Sequence, residues 1–340
     1  MDSPSQPFRL VFVIGFPRSG TSWFANLINA HPDTLYRHEI LGRQFHAFGA
    51  GLFSKLKFDH GLSDEDHAAV VNVLKRADVE TEKPPFFRKR FRRYATPGVQ
   101  RLLWLAGKGS ALIAPVYARV FTPRAGSEPI FVVKETRSSV NLDSIIKGAR
   151  ASKLIVLVRH PYGVVASHLR GSRAGLMDGL GAEGRRTWFT FNASAAYIEE
   201  TGLTEADVAA MSEAEFVALC WRVQNEDYLK IHAGHADSRL VVYEAFLRDR
   251  KQNTRDLLTA LGLEPDAQVM RFVEESSGAR LNGSGAAALT ASEYFSVYRS
   301  GDFRPDEWRD ELASESLSRI DRHTRPLVER LGLDQWLERP

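Results

Sequence analysis

Apolar residues along the chain fall into short runs rich in β-branched side chains, separated by stretches with helical spacing. Four runs predict buried parallel strands: Leu10 to Ile14, Ile130 to Val133, Leu154 to Val158 and Leu240 to Val242. Five segments predict helices: Ser22 to Ala30, Val140 to Ala149, Tyr162 to Arg170, Ser212 to Ile231 and Asp249 to Leu261. Because strands alternate with helices, the pattern predicts an α/β fold of three layers, with a central, mainly parallel sheet flanked by helices.

Two regions depart from this alternation: residues around 41–127 and a second region around 276–310, whose first part is rich in glycine and alanine. Ligands of open α/β sheets bind outside the carboxyl ends of the strands. We therefore expect a single domain over residues 1–340, in which both regions are insertions above that edge and the first forms an acceptor cleft or lid.

Composition excludes several classes of function. The chain has 45 basic and 42 acidic residues and a net charge of +3, so no bulk attraction to nucleic acid is expected. The single cysteine, Cys220, lies in an apolar helical run, which predicts a buried core residue. One cysteine excludes an internal disulfide and a cysteine-built metal site, and it favours the reducing cytoplasm. The polar N-terminus predicts no export signal, and Leu102 to Phe121 is too interrupted for a membrane span.

A glycine-containing turn links the first predicted strand to the first predicted helix. Gly15 and Gly20 let the backbone turn tightly, and the following helix adds the positive end of its dipole. Their spacing is that of the P-loop of nucleotide-binding proteins, so we expect a P-loop-type fold with an anion-binding loop. A nucleoside triphosphatase needs lysine where this chain has Thr21, and the nearest loop cation comes earlier, at Arg18.

The other strand ends are basic or neutral. The sequence has Lys134, Arg159 and Tyr243 where a metal-binding carboxylate would stand. The site is therefore predicted to neutralise anionic charge with side-chain cations and no metal. Arg159 ends a strand and Ser167 lies two turns into the next helix, so both can face one ligand at the sheet edge.

The loop from Gly15 to Trp23, followed by Arg159 and Ser167, resembles the sulfotransferases that use 3′-phosphoadenosine 5′-phosphosulfate (PAPS). The resemblance implies that the loop holds the 5′-phosphosulfate of the donor, through Arg18, Ser19, Gly20, Thr21, Ser22 and Trp23. It also implies that Arg159 and Ser167 hold the 3′-phosphate, which ATP lacks.

Two further segments are similar to this family, with departures. Tyr243 lies in a strand-end segment that resembles Tyr-Glu-Asp-Leu, with alanine in place of the acid. The resemblance implies that Tyr243 walls the adenine pocket, and core packing is the alternative. Arg299 lies in a segment similar to the last donor-binding loop, with altered spacing, which places the region around 276–310 at the donor.

Sulfuryl transfer requires stabilisation of a leaving oxygen and removal of a proton from the acceptor. We assign the first task to Arg18 and Lys134. The histidine base of the cytosolic branch, two residues after the lysine, is absent here. The resemblance to branches that use a glutamate after the first helix implies Glu39 as the base, with Glu135 and His38 as alternatives.

Six cations without an intervening acid lie in the segment from Phe86 to Tyr94 and at Arg101, interleaved with aromatic residues. This segment fits a peripheral membrane contact, an anionic acceptor or a solvated helix face, and nucleic acid has the least support.

The predicted function is sulfuryl transfer from PAPS to a hydroxyl or amine of a small metabolite, carbohydrate or lipid. A metal-dependent nucleotide kinase and a noncatalytic module that binds a polyanion or a membrane are the alternatives. The sequence defines neither the acceptor nor the oligomeric state.

Overall fold

The computed structural model of the protein describes residues 9–40, 63–92, 96–124, 127–136, 142–278, 294–298 and 306–337. Within them, five strands form one parallel sheet in the order β2-β3-β1-β4-β5. The strands are β1 (Leu10–Ile14), β2 (Thr34–His38), β3 (Ile130–Glu135), β4 (Lys153–Val158) and β5 (Ser238–Val242). The predicted α/β fold with a parallel sheet is confirmed.

Strand β2 lies at one edge of the sheet, and the hydrophobic pattern does not predict it. Its sequence is Thr-Leu-Tyr-Arg-His, yet Arg37 is only 1% exposed. Arg37 tolerates burial because its Nη1 lies 2.5 Å from a carboxylate oxygen of Glu82, which neutralises the charge. A strand that is buried through an ion pair leaves no apolar run in the sequence.

Helices connect the strands and cover both faces of the sheet. They are α1 (Thr21–Asn29), α2 (Asp64–Lys75), α3 (Pro97–Gly109), α4 (Ala114–Phe121), α5 (Leu142–Gly148), α6 (Pro161–Arg173), α7 (Ala182–Asn192), α8 (Ala195–Thr201), α9 (Glu205–Ala210), α10 (Glu213–Gly234), α11 (Tyr243–Arg248), α12 (Arg250–Ala260), α13 (Ala267–Gly278) and α14 (Ser314–Arg330). The five predicted helices correspond to α1, α5, α6, α10 and α12.

Two apolar cores lie on opposite faces of the sheet, because alternate residues of a strand point to opposite sides. Leu10, Phe12 and Ile14 of β1 pack with α5, α6, α10 and α14. Val11 and Val13 pack with α1, α11, α12 and α13. The sheet is therefore the middle of three layers, as predicted.

The apolar region from Leu102 to Phe121 forms parts of two helices, α3 and α4, which a loop separates. This agrees with the interruption of the region by glycine and lysine. None of the helices in the described ranges is long and apolar enough to cross a membrane.

The register of the parallel strands brings several polar side chains to one edge. Lys134 pairs with Val13 of β1 on one side and with His38 of β2 on the other. The phosphate loop begins directly after β1, Arg159 directly follows β4, and Tyr243 directly follows β5. The predicted functional residues of four strands therefore meet at the carboxyl edge.

Candidate active site

The loop between β1 and α1 requires glycine at two positions. A Cβ at Gly15 would lie 2.4 Å from the carbonyl oxygen of Leu157. A Cβ at Gly20 would lie 2.4 Å from the ring of Tyr243, and the backbone there has a φ of 89°. Arg18 also has a left-handed backbone, with a φ of 70°. Such strain concentrates where a loop is shaped for a ligand.

Unsatisfied polar groups in this loop fit an anionic ligand. Helix α1 begins at Thr21, and no side chain caps its N-terminus, so its first N–H groups lack intrahelical acceptors. Ser19 is 0% exposed, and within the described part of the chain its Oγ has no hydrogen-bond partner. Leaving a buried hydroxyl unsatisfied costs about 1–3 kcal/mol, a cost that a bound phosphate or sulfate oxygen would remove.

The side chain of Arg18 links the loop to α6. Its Nε donates a hydrogen bond to Ser167 Oγ over 3.1 Å, and its guanidinium lies 4.0 Å from the ring centroid of Tyr294. The hydroxyl of Tyr294 donates to the carbonyl oxygen of Ser167 over 2.8 Å. The sequence places Arg18 and Ser167 at different phosphates of the donor, whereas the structure brings their side chains into direct contact.

Arg159 is buried behind the loop and held from several sides. Its Nη1 donates to the carbonyl oxygen of Arg18 over 3.1 Å, and its Nε lies 3.7 Å from a carboxylate oxygen of Glu244. The guanidinium lies 5.2 Å from the ring centroid of Tyr243. Gly163 leaves room for it, because a Cβ there would approach the Arg159 Nε to 2.9 Å.

Two predicted donor-binding residues, Trp23 and Tyr243, are packed together below the loop. The ring of Tyr243 meets that of Trp23 edge to face, with centroids 6.3 Å apart. Trp23 donates a hydrogen bond to Ser276 Oγ over 2.8 Å. Ser22 is half-buried at the start of α1, and its carbonyl oxygen accepts a hydrogen bond from Asn26. Their roles towards the donor stay predictions, and Arg299 lies outside the described residues.

Lys134 and Glu39 form an ion pair at the ends of β3 and β2. The carboxylate oxygen of Glu39 that contacts Lys134, Oε1, also accepts a hydrogen bond from Thr136 Oγ1 over 2.6 Å. The other oxygen, Oε2, lies 3.8 Å from His38 Nε2. The backbone N–H of Glu39 donates to the carbonyl oxygen of Lys134 over 2.8 Å, at a φ of 48°. The structure therefore brings the predicted base and the predicted cation into contact, and it adds Thr136.

These contacts set the ionisation of the cluster. Burial by itself raises the pKa of Glu39, but the charges of Lys134 and His38 and the hydrogen bonds outweigh it and lower that pKa to about 2. Burial lowers the pKa of Lys134, and Glu39 opposes that change. Burial and the charge of Lys134 hold the pKa of His38 well below its ordinary value. At neutral pH the cluster thus contains a carboxylate and a neutral histidine.

Glu135, the other alternative base, is 2% exposed. Successive side chains of a strand point to opposite faces of the sheet, and the side chain of Lys134 contacts Glu39. Glu135 therefore points to the other face, away from Glu39.

Besides Thr136, two site residues were not identified from the sequence. Tyr294 contacts both Arg18 and Ser167, but it lies in a region whose sequence has no helix or strand periodicity. Glu244 accepts a hydrogen bond from the backbone N–H of His160 over 3.1 Å and neutralises Arg159. Its position directly after Tyr243, at a strand end that faces an arginine, was the available signal.

Part of the basic segment is interior. Lys89 is 5% exposed, and its Nζ donates to Asn29 Oδ1, to the carbonyl oxygen of His31 and to Thr34 Oγ1. Arg92 Nη2 donates to a carboxylate oxygen of Glu82 over 2.8 Å. These two cations therefore stabilise the fold, whereas Arg88, Arg90 and Arg101 are exposed.

A cavity of about 180 Å³ adjoins the loop. Apolar walls come from Phe16 and Pro17 of the loop and from Trp188, Phe216 and Val217 of α7 and α10. The remaining lining residues include a few polar side chains: His168, Arg185, Glu213 and Gln224. Buried Cys220 of α10, predicted to lie in the core, also lines it.

The polar lining residues place the cavity beside the cations of the site. His168 directly follows Ser167, and its Nε2 lies 3.4 Å from a carboxylate oxygen of Glu213. Burial lowers the pKa of His168, Glu213 opposes this change, and the charge of Arg18 lowers it further. Gln224 Oε1 is buried and, among the described residues, has no hydrogen-bond partner. The cavity therefore offers apolar contacts and a buried acceptor oxygen, Gln224 Oε1.

The family model described as "Sulfotransferase family" matches residues 10–267. The chain belongs to this family, and the predicted sulfotransferase is confirmed. No curated protein sequence matched the chain.

Solved structures similar to the chain include three sulfotransferases. The sulfotransferase domain of the olefin synthase of Synechococcus PCC 7002 is 17% identical, with 94% of this chain and 96% of that chain covered and a TM-score of 0.41. The sulfotransferase domain from the curacin biosynthetic pathway is 14% identical, with coverages of 96% and 99% and a TM-score of 0.42. Mouse sulfotransferase SULT7A1, in complex with 3′,5′-adenosine bisphosphate (PAP), is 14% identical, with coverages of 97% and 88% and a TM-score of 0.44.

Proposed function

We propose that this sulfotransferase uses PAPS as its donor and needs no metal for the transfer. One observation carries the proposal: at one edge of the sheet, the loop that contains Ser19, whose hydroxyl has no partner among the described residues, lies beside two buried cations, Arg159 and Lys134. Loop N–H groups and Ser19 suit the 5′-phosphosulfate, and Arg159 with Ser167 suits a 3′-phosphate. We place the enzyme in the cytoplasm, the compartment that a single buried cysteine favours.

PAPS, when bound, supplies the sulfuryl group and a phosphate as leaving group. Lys134 and Arg18 then stabilise the negative charge that grows on the bridging oxygen, which is worth roughly 10²–10³ in rate for one such donor. Arg18 reaches this role by exchanging its contact with Ser167 for one with the ligand.

Glu39 removes the proton of the acceptor once Lys134 turns towards the donor. A carboxylate with a pKa of about 2 is a weak base. Because the charge of Lys134 is the largest of the effects that lower the pKa of Glu39, loss of that contact raises this pKa. Donor binding thereby activates the base.

The acceptor enters the cavity between the loop, α7 and α10. A cavity of about 180 Å³ holds roughly one ring with a substituent. Its walls of Phe16, Trp188 and Phe216 favour an apolar ring over a sugar. We therefore propose a phenol, or an apolar alcohol of similar size, as the acceptor class.

Calorimetric titration with 3′,5′-adenosine bisphosphate (PAP), compared with ADP plus magnesium, tests the donor. We expect PAP to bind more tightly without metal and Arg159→Ala to weaken PAP binding roughly 10- to 100-fold, the loss of one charged hydrogen-bonding group. Arg186→Ala, at an exposed arginine of α7, is the matched control and should bind PAP as the wild type does. Tighter binding of ADP with magnesium would support the kinase alternative and remove the roles of Arg159 and Ser167.

Acceptor class is tested separately by PAP release from PAPS in the presence of one-ring phenols, apolar alcohols or monosaccharides. Release with phenols and with EDTA present supports the proposal. Release with sugars alone would contradict the acceptor class while leaving the donor assignment intact, and a requirement for added metal would contradict metal-free transfer.

A further inference from the structure

The helical hairpin, defined as α3, α4 and the loop that joins them (residues 97–121), carries an exposed apolar surface. Leu102 and Leu105 of α3 are 69% and 52% exposed, and Leu112 of the loop is 85% exposed. Val116 and Val120 of α4 are each 49% exposed. Exposed leucines and valines grouped in one element mark an interaction surface more often than scattered ones do.

This surface is separate from the packing that holds the hairpin in place. On the inner side, Trp104, Tyr117 and Phe121 form a small apolar cluster with Val79. Trp104 Nε1 also donates a hydrogen bond to the carbonyl oxygen of Val79 over 2.9 Å. Because the inner contacts already fix both helices, the outer leucines are not explained by the fold.

The charged residues of the chain segment that contains the hairpin have a single sign. No acidic residue occurs between Glu82 and Glu128, whereas ten cations do: Lys83, Arg88, Lys89, Arg90, Arg92, Arg93, Arg101, Lys108, Arg119 and Arg124. Lys89 and Arg92 are interior and Lys108 pairs with Glu80, but Arg101 and Arg119 of the hairpin are exposed. The net charge of the whole chain is only +3, so this excess is local.

We propose that the helical hairpin docks the enzyme on an anionic lipid surface. Exposed leucines beside arginines are typical of surfaces that bind the membrane–water interface. The apolar side chains enter the boundary of the acyl chains, and the cations contact anionic headgroups. A second copy of the chain fits less well, because two basic faces would repel each other. A soluble polyanion would satisfy the arginines but leave Leu102, Leu105 and Leu112 in water.

Co-sedimentation of the full chain with vesicles tests this assignment. The vesicles contain phosphatidylcholine alone or with about one third phosphatidylglycerol, and binding is measured at low and high salt. We expect binding only to the anionic vesicles, with a decrease at high salt. Arg101→Gln with Arg119→Gln should weaken it roughly 10- to 30-fold, at about fivefold for each cation at the surface.

Leu102→Gln with Leu105→Gln should weaken vesicle binding by about 10-fold or more, since two side chains no longer gain from leaving water. Phe191→Gln is the matched control: Phe191 is 74% exposed on α7, outside the hairpin, so its removal should leave binding unchanged. PAP titration of each variant verifies that the fold and the donor site are intact.

Three results would overturn the inference. Equal binding to neutral vesicles would remove the role of the cations, and undiminished binding of the leucine variant would remove that of the apolar surface. A mass in light scattering that falls from dimer to monomer in the leucine variant, without vesicle binding by the wild type, would assign the surface to a second copy of the chain.

Discussion

At the scale of single residues, the site is set by which charges compensate each other before a ligand binds. Lys134 is compensated by Glu39, and Arg159 by Glu244. Burial raises the pKa of Glu244, and the charges of Arg159 and His160 oppose that change. A phosphate must therefore compete with a buried or partly buried carboxylate for each of these two cations.

Glu39→Gln should lower turnover with a phenolic acceptor roughly 10²–10⁴-fold, the usual contribution of a general base. PAP affinity should not decrease, because the amide keeps the shape of the side chain and removes the charge that competes with the donor for Lys134. In the wild type, the acidic limb of the pH profile should lie at higher pH for kcat than for the kcat/KM of PAPS, since the latter reports the free enzyme and kcat reports the complex in which Lys134 has turned away.

Glu183→Gln, at an exposed carboxylate of α7, provides the control and should turn over normally. Normal turnover of Glu39→Gln would exclude Glu39 as the base, and a loss confined to Glu135→Gln would transfer that role to Glu135.

The residues that could be predicted are those whose chemistry and position agree. Arg18, Lys134 and Arg159 end strands or follow them, so the alternation of strands and helices already places them at one edge. Thr136 and Tyr294 act through contacts between segments distant in the chain, and neither has a local signal. Lys89 lies in a run of cations, which indicates an exposed surface, yet its side chain is buried. The oxygens that accept hydrogen bonds from its Nζ belong to Asn29 and His31, which are distant in the sequence.

At the scale of elements, the site depends on close approach between α6 and the end of β4. Arg159 ends the strand, and Gly163 sits in the first turn of the helix with its missing side chain against the guanidinium. Alanine is a better helix former than glycine by about 0.5–1 kcal/mol. Alanine at position 163 would therefore stabilise the helix but disturb the arginine that is proposed to bind the ligand.

Gly163→Ala should weaken PAP binding roughly 10-fold without lowering the melting temperature, because the new Cβ, 2.9 Å from the Nε, displaces the flexible guanidinium and not the backbone. Calorimetry and thermal unfolding measure the two effects. Gly98→Ala, in the first turn of α3, meets nothing within 4 Å and should leave PAP binding unchanged. Unaltered affinity of the Gly163 variant would show that Arg159 does not hold the ligand from this position.

At the scale of the whole molecule, one buried carboxylate joins the hairpin to the sheet. Glu82 contacts Arg37 of β2, Arg92, Gln100 of α3 and Tyr117 of α4. The sequence pattern does not predict this joint, because it consists of polar residues from four separate segments. It fixes the hairpin, which has only a small apolar cluster of its own, to the edge strand β2.

Glu82→Gln should lower stability by about 3–5 kcal/mol, because it leaves Arg37 and Arg92 buried without a counter-charge. Thermal unfolding at neutral pH should show a decrease of roughly 5–10 °C. Glu80→Gln is the matched control: the carboxylate of Glu80 is 48% exposed and pairs with Lys108, so its loss should cost less than about 1 kcal/mol.

The same carboxylate predicts how stability depends on pH. Burial raises the pKa of Glu82, but Arg92, Arg37 and the hydrogen bonds outweigh it, so the pKa in the folded protein lies below its ordinary value of 4.5. A lowered folded-state pKa contributes stability that is present above the unfolded pKa and is lost as the pH falls through the folded pKa. The difference in melting temperature between wild type and Glu82→Gln should therefore be constant near neutral pH and shrink below about pH 4. A difference that stays constant into acid would mean that Glu82 has the same pKa in the folded and in the unfolded protein, and a difference that grows as the pH falls would mean that the folded protein holds Glu82 protonated.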